Sequence, residues 1–139
     1  MIKKLENINE LRELSRVFAL AFESGYTLTE LYLETMLQNP MCVIFGAFSD
    51  QEIVGGLVAF EMMPMHGTKE LYVYDIAVHP AYQRNGIGVK LVNALKDEAK
   101  VRGAGTIFVE AELEDKDAVA FYRAIGGEEI VVGHFNFKI

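Results

Sequence analysis

The stretch Glu110-Ala111-Glu112-Leu113-Glu114-Asp115-Lys116-Asp117 puts five carboxylates into eight residues, directly after the apolar run TIFV. If that run is a strand that continues, its period of two throws Glu110, Glu112 and Glu114 onto one face, where like charges repel. Two readings follow: a solvated strand end, or a site built to hold a cation. A further acid, Asp75, interrupts the apolar and aromatic run ELYVYDIAV. A carboxylate inside such a strand needs a partner or a substrate, so a structural salt bridge and a proton acceptor are both open for it.

A second kind of chemistry is carried by Gln83-Arg84-Asn85-Gly86-Ile87-Gly88. A glycine-bearing turn that opens a helix leaves backbone N–H groups free and aimed at one point, with the helix dipole adding positive potential there. Taken alone, Gly86 and Gly88 could equally serve a tight strand-to-helix turn. Two phosphate-binding motifs are excluded residue by residue. A P-loop needs a hydroxyl after its lysine, and Leu91 follows Lys90; a dinucleotide fingerprint needs a third glycine where Leu91 stands.

Covalent catalysis finds little support. No Ser-His-Asp or Cys-His arrangement suggests itself, and the single cysteine, Cys42, lies in the apolar run MCVIFGAF as a small buried hydrophobe would. His66, His79 and His134 fall in a loop, at a strand end and in an alternating last strand, with no motif behind any of them. No His, Cys or Asp pairing stands at metal-ligand spacing, so no metal is expected.

The elements that must position these groups are legible from periodicity. IKKLEN reads as a short strand. Leu11, Leu14, Phe18 and Phe22 recur at helical spacing behind Asn7 or Asn9 as cap, and Leu28, Leu31, Tyr32 and Met36 form the inward stripe of a second helix capped by Thr27 or Thr29 and stopped at Asn39-Pro40. CVIFGAF and EIVGGLVAFEMM form a hairpin across Ser49-Asp50-Gln51, and ELYVYDIAV is a strand ended by His79-Pro80. A long helix follows with Ile87, Leu91, Leu95 and Ala99 inward and Gly103 at its stop. After the strand TIFVEAEL come a helix DAVAFYRAIGG and a last strand EIVVGHFNFKI. The order is β-α-α-β-β-β-α-β-α-β, an α/β fold with a mixed sheet covered by helices.

At 139 residues, about half of them apolar, residues 1–139 suit one domain. The formal charge of −7, from 20 acidic against 13 basic residues, leaves no basic surface for a nucleic-acid backbone. No apolar run approaches the roughly 18 residues of a membrane span, and MIKKLENINELREL lacks the apolar stretch of a secretion signal. A cytoplasmic protein without nucleic-acid or membrane partners is expected.

The string VYDIAVHPAYQRNGIG, followed by its helix, the next strand and FYRAIGG, resembles the acetyl-CoA-binding core of the GNAT N-acetyltransferase superfamily. The resemblance implies the acyl-CoA N-acyltransferase fold and acetyl-CoA as co-substrate, with backbone amides of the turn Gln83, Arg84, Asn85, Gly86, Ile87, Gly88 and Val89 at the pyrophosphate. It implies that the main chain of Ile76, Ala77 and Val78 pairs with the pantetheine arm, and that Asp115 stands where many members carry an asparagine near that arm. The amine then attacks the thioester directly. Three jobs remain: a base for the ammonium, a donor for the oxyanion and an acid for the departing thiolate. By resemblance Tyr122 is the acid and a backbone N–H around Ala77 the oxyanion donor. Without the motif, Tyr122 would read as an interior aromatic beside Ala118 and Ile125. Asp75, Glu110 and Glu112 are the candidates for base and cation binding.

The C-terminal half, LYVYDIAV through the turn and helix to GAGTIFVEAELEDKDAVAFY and EEIVVGHFNFKI, is similar to the aminoglycoside 3-N-acetyltransferase branch. Leu113 and Asp117 depart from it, where a tyrosine and a proline are usual. The branch implies a cationic small-molecule amine as acceptor, a link to antibiotic resistance and a homodimer; another small amine, a peptide N-terminus or a non-catalytic acetyl-CoA sensor are the alternatives.

Overall fold

The computed structural model describes residues 1–139. In chain order the elements are β1 (Ile2–Lys4), α1 (Ile8–Ala21), α2 (Glu30–Gln38), β2 (Cys42–Ser49), β3 (Glu52–Met62), β4 (Glu70–Val78), a single 3-10 turn at Pro80–Tyr82, α3 (Ile87–Arg102), β5 (Thr106–Val109) and α4 (Lys116–Ala124). The five strands lie side by side in the order β1-β2-β3-β4-β5. β1 to β4 pair antiparallel and β5 joins β4 in parallel. This is the mixed α/β architecture the sequence predicts.

Alternation of side chains splits the core between the two faces of the sheet. Val43 and Phe45 of β2, Leu57 of β3 and Leu71 and Val73 of β4 pack on one face against Leu91, Leu95 and Ala99 of α3. Ile44, Ile53 and Val58 point the other way, onto Leu11, Leu14 and Val17 of α1 and Leu33 of α2. Leu14, Leu57, Leu71, Leu91 and Leu95 have no exposed surface, and each such burial contributes about 2 kcal/mol.

Three expectations are corrected. Of the stripe Leu28, Leu31, Tyr32 and Met36, only Met36 packs against the core: Leu28, Leu31 and Tyr32 are exposed, and Leu33 is the buried residue of α2. The reason is that α2 packs on α1 and leaves its wider apolar surface uncovered. Next, β5 ends at Val109, so Glu110, Glu112 and Glu114 do not share a strand face. The ladder with β4 stops at Val73 opposite Val109, and without a partner the backbone leaves the extended register. Last, the segment 129–139 that reads as a final strand makes no ladder within the chain, and residues 128–139 are exposed throughout. No helix is long and apolar enough to cross a membrane.

Candidate active site

β4 outruns its neighbour. Its residues Glu70 to Val73 pair with β5, but Asp75 to Val78 pair only with β3, on the other side. The strands have parted there, and the edge of Ile76, Ala77 and Val78 that faces away from β3 has no strand neighbour. An extended ligand can add to such an edge through main-chain hydrogen bonds.

Just beyond this edge the chain turns into α3. The Gln83 side-chain amide donates to the Val78 carbonyl at 3.0 Å, and the Asn85 amide donates to the carbonyls of Tyr82 at 3.1 Å and Gln83 at 3.2 Å. Both side chains thus brace the turn from within. Arg84 and Gly86 have φ of 66° and 75°, in the left-handed region that glycine tolerates and arginine resists. The other α-helices each carry a side-chain cap: Asn7 accepts the Glu10 N–H, Thr29 the Tyr32 N–H and Asp115 the Ala118 N–H. α3 has none, and no acid in its first turn. The first intrahelical bond at this end is Lys90 N–H to Gly86 carbonyl at 3.1 Å, so the amides of Ile87, Gly88 and Val89 are left for a ligand. Uncapped donors, positive dipole and absence of competing carboxylates fit an anion such as the CoA pyrophosphate. Gly88 also allows close packing, since a Cβ there would stand 3.0 Å from the Phe121 ring of α4.

Where β4 and β5 part, a cleft of about 300 Å³ opens. It is lined by Tyr74, Asp75 and Ile76 of β4, Val109 of β5, Glu110, Glu112 and Asp115 of the link to α4, Ala118 and Tyr122 of α4, and Phe22 at the end of α1. All four side chains expected to serve catalysis therefore meet in one hollow. Ala77 and Val78 continue from it along the open edge toward the glycine turn.

The electrostatics of the cleft separate its groups. Asp75 is half-buried, and burial alone raises its carboxyl above the usual carboxylate range, with no neighbouring cation offsetting the effect. The salt-bridge reading of Asp75 has no partner to support it. Burial also raises the Tyr122 phenol, and the Asp115 carboxylate adds to the rise, so the hydroxyl keeps its proton through neutral pH. Asp115 itself accepts the Ala118 N–H at 3.1 Å and starts α4. Glu110 has His134 Nδ1 at 3.4 Å, while Glu112 and Glu114 are exposed.

Phe22 and Tyr74 were not legible as site residues. Phe22 completes the helical stripe of α1 in the sequence, yet it lies past the last helical residue, half-exposed against the cleft. Tyr74 belongs to a row of aromatic rings crossing the sheet: Phe60 at 6.3 Å from Tyr74, Tyr74 at 5.3 Å from Tyr72, and Tyr72 stacked 4.8 Å from Phe108. The clustering of Tyr72 and Tyr74 beside Asp75 is the only signal that could have pointed there.

The remaining candidates lie elsewhere. His79 Nδ1 accepts the Ala81 N–H and His66 Nδ1 the Thr68 N–H, both local turn bonds. Burial raises the Cys42 thiol to about 11, the property of a buried hydrophobe and not of a nucleophile. His, Cys, Asp and Glu side chains form no cluster of three that could hold a metal ion.

A profile of the acetyltransferase (GNAT) family matches residues 8–126. The chain is similar to a crystal structure of an aminoglycoside acetyltransferase from an uncultured soil metagenomic sample, at 32% identity and a TM-score of 0.90, covering 100% of this chain and 97% of that one. A second soil metagenomic aminoglycoside acetyltransferase, crystallised in complex with sisomicin, superposes with a TM-score of 0.95 at 28% identity, over 100% of this chain and 95% of the other. The [ribosomal protein bS18]-alanine N-acetyltransferase of Escherichia coli strain K12 is 36% identical over 63 residues, 45% of this chain and 43% of that protein. The match thus spans less than half the length of that curated relative.

Proposed function

The chain belongs to the acetyltransferase (GNAT) family, whose members use acetyl-CoA, and from that premise we propose that it acetylates a primary amine of a cationic small molecule, foremost the 3-amino group of an aminoglycoside. The observation that carries this reading is the convergence of Asp75, Glu110, Glu112 and Tyr122 on one cleft at the end of the open β4 edge.

Acetyl-CoA, when bound, supplies an activated acyl thioester. The amides of Ile87, Gly88 and Val89 hold its pyrophosphate, and the edge of Ile76 to Val78 aligns its arm. Glu110 and Glu112 attract the cationic acceptor and orient it over the cleft. Asp75, whose raised pKa makes it a better proton acceptor than an exposed carboxylate, takes a proton from the ammonium. The freed amine forms the new C–N bond as the C–S bond breaks, a backbone N–H near Ala77 donates to the carbonyl oxygen, and Tyr122 gives its proton to the leaving sulfur. The second proton, shed by the acylated nitrogen, restores the phenol through solvent.

A peptide N-terminus is the second reading, favoured by the 36% identity to the ribosomal-protein alanine N-acetyltransferase. A non-catalytic sensor has no use for a protonated phenol and a half-buried carboxylate lining one cleft. Thiol release from acetyl-CoA, followed with aminoglycosides, linear polyamines and Ala-initiated peptides, separates the three. The expected outcome is turnover with aminoglycosides above the other classes. Turnover with peptides alone overturns the proposed acceptor, and tight acetyl-CoA binding without turnover on any amine leaves a sensor.

A further inference from the structure

The sheet face that carries α1 and α2 is only partly covered by them. Their apolar residues pack on Ile44 of β2 and on Ile53 and Val58 of β3, and farther along the same face β4 and β5 present aromatic rings. Phe60 stands directly opposite Tyr72, and Tyr72 directly opposite Phe108, so the three rings form one line on one face. Phe60 packs against the α1 core, whereas Tyr72 and Phe108 are half-buried and stacked on each other. Tyr74, tilted 69° to Tyr72, is 64% exposed although it lies within a strand.

A bulge joins this row to the acceptor cleft. Val58 and Ala59 are adjacent in β3, but their partners Asp75 and Val73 are not, so Tyr74 is an extra residue in β4. The extra residue shifts the alternation by one. Asp75 therefore shares the face of its partner Val58, which packs toward α1, and not that of Val73, which packs toward α3. Tyr74 lies against both Phe60 and Tyr72 and also lines the cleft. The acids stand beside the rings: the Tyr72 phenol is raised first by burial and then by the charges of Glu110, Tyr74 and Asp75.

The cleft holds about 300 Å³ and must also receive the acyl end of acetyl-CoA. It has room for the ring that bears the reacting amine, and the other rings of a larger acceptor need a surface outside it. The row supplies that surface, continuous with the cleft through Tyr74 and about 10 Å long across two inter-strand spacings. Open rings beside carboxylates suit a ligand that is cationic and has apolar C–H faces, as linked amino sugars do. We propose that Tyr72, Tyr74 and Phe108 form a second acceptor subsite, on which a further ring of a multi-ring aminoglycoside lies with its ammonium groups toward Glu110. The row selects such acceptors over single-ring amines. This rests on the aminoglycoside reading and adds to it the part of the site that recognises acceptor size.

The test compares sisomicin, which has three rings, with 2-deoxystreptamine, the single aminocyclitol ring, in wild type, Tyr74→Ala and Tyr74→Phe. The kcat/KM preference for sisomicin is expected to fall about 10-fold in Tyr74→Ala and to be kept in Tyr74→Phe. A preference unchanged in Tyr74→Ala overturns the proposal. So does an equal loss with both amines, which makes Tyr74 a wall of the cleft. Loss of the preference in Tyr74→Phe assigns the contact to the hydroxyl and overturns stacking on the ring. Calorimetric titration of both amines into the CoA-bound protein reads the same preference without turnover. A wild type that acetylates neither amine thus removes the proposed reaction, while the response of calorimetric preference to Tyr74→Ala still decides the subsite. An Ala-initiated peptide whose binding weakens in Tyr74→Ala when that of sisomicin does not makes the row a peptide site and overturns the proposal.

Discussion

Asp115 caps the helix that carries Tyr122: its carboxylate accepts the Ala118 N–H at 3.1 Å, and its charge adds to the rise that burial chiefly causes in the Tyr122 phenol. One side chain thus anchors the start of the helix that places the phenol and adds to the rise by which burial holds its proton. A proton donor to a departing thiolate needs both properties.

Tyr122→Phe is expected to lower kcat by roughly 10²-fold, within the range of a general acid, with little change in melting temperature because only a hydroxyl is removed. Steady-state kinetics beside a thermal melt checks this. An unchanged kcat makes Tyr122 a packing residue.

Asp75→Asn is expected to lower kcat/KM by about 10²-fold and to abolish the acid limb of its pH profile, which in the wild type lies above the ordinary carboxylate range. Its effect on stability has the opposite sign. Burial raises this carboxyl, so ionising it costs folding free energy from a pH of about 4 upward, levelling off once pH passes the folded pKa. The variant should therefore melt higher than wild type at pH 7 and equal to it at pH 3, as thermal melts at the two pH values will show.

Gly88→Val is expected to raise KM for acetyl-CoA by about 10-fold or more, since the new Cβ would stand 3.0 Å from the Phe121 ring and push apart the helices that frame the cofactor turn. Gly86→Ala meets open space instead, and its cost of roughly 1 kcal/mol is conformational, from the φ of 75°. Acetyl-CoA titrations and melts of the two variants distinguish a steric from a backbone effect.

Glu112→Gln is expected to raise KM for a polycationic acceptor several-fold and to leave KM for acetyl-CoA unchanged. Added salt should raise the wild-type acceptor KM in the same direction, by screening the exposed carboxylates. Initial rates across an ionic-strength series provide the measurement; a KM indifferent to both treatments removes the electrostatic account of the cleft.

Cys42 should resist alkylation. With its pKa raised to about 11 by burial, roughly one thiol in a thousand is ionised at pH 8. Iodoacetamide labelling of the folded protein is expected to run at least 10-fold slower than in denaturant, and Cys42→Ser to retain full turnover.

How much was legible depends on the range of the interaction. The stop at Asn39-Pro40, the hairpin link within Ser49-Asp50-Gln51 and the inward stripe Leu91, Leu95, Ala99 are settled among near neighbours in the chain and were legible there, while the caps were narrowed to Asn7 or Asn9 and Thr27 or Thr29, of which Asn7 and Thr29 cap. The glycine turn was legible for the same reason: its donors are free because of what residues 83–89 lack, a side-chain cap and an acid. The stripe of α2 misled, because amphipathic spacing reports which residues could be covered, not whether a partner covers them.

The sequence by itself determined the strand and helix order as far as α4, a glycine turn with free backbone donors and the set of carboxylates from which a cation site could be made. Tertiary structure decided which of them meet. Phe22 reaches the cleft only because α1 crosses the sheet, and Glu110 and Glu112 share that cleft with Asp75 only because β5 stops at Val109 while β4 continues. Whether 129–139 becomes a strand is likewise not a property of its residues. A strand exists through hydrogen bonds to a neighbour, and alternation supplies the apolar face but not the partner.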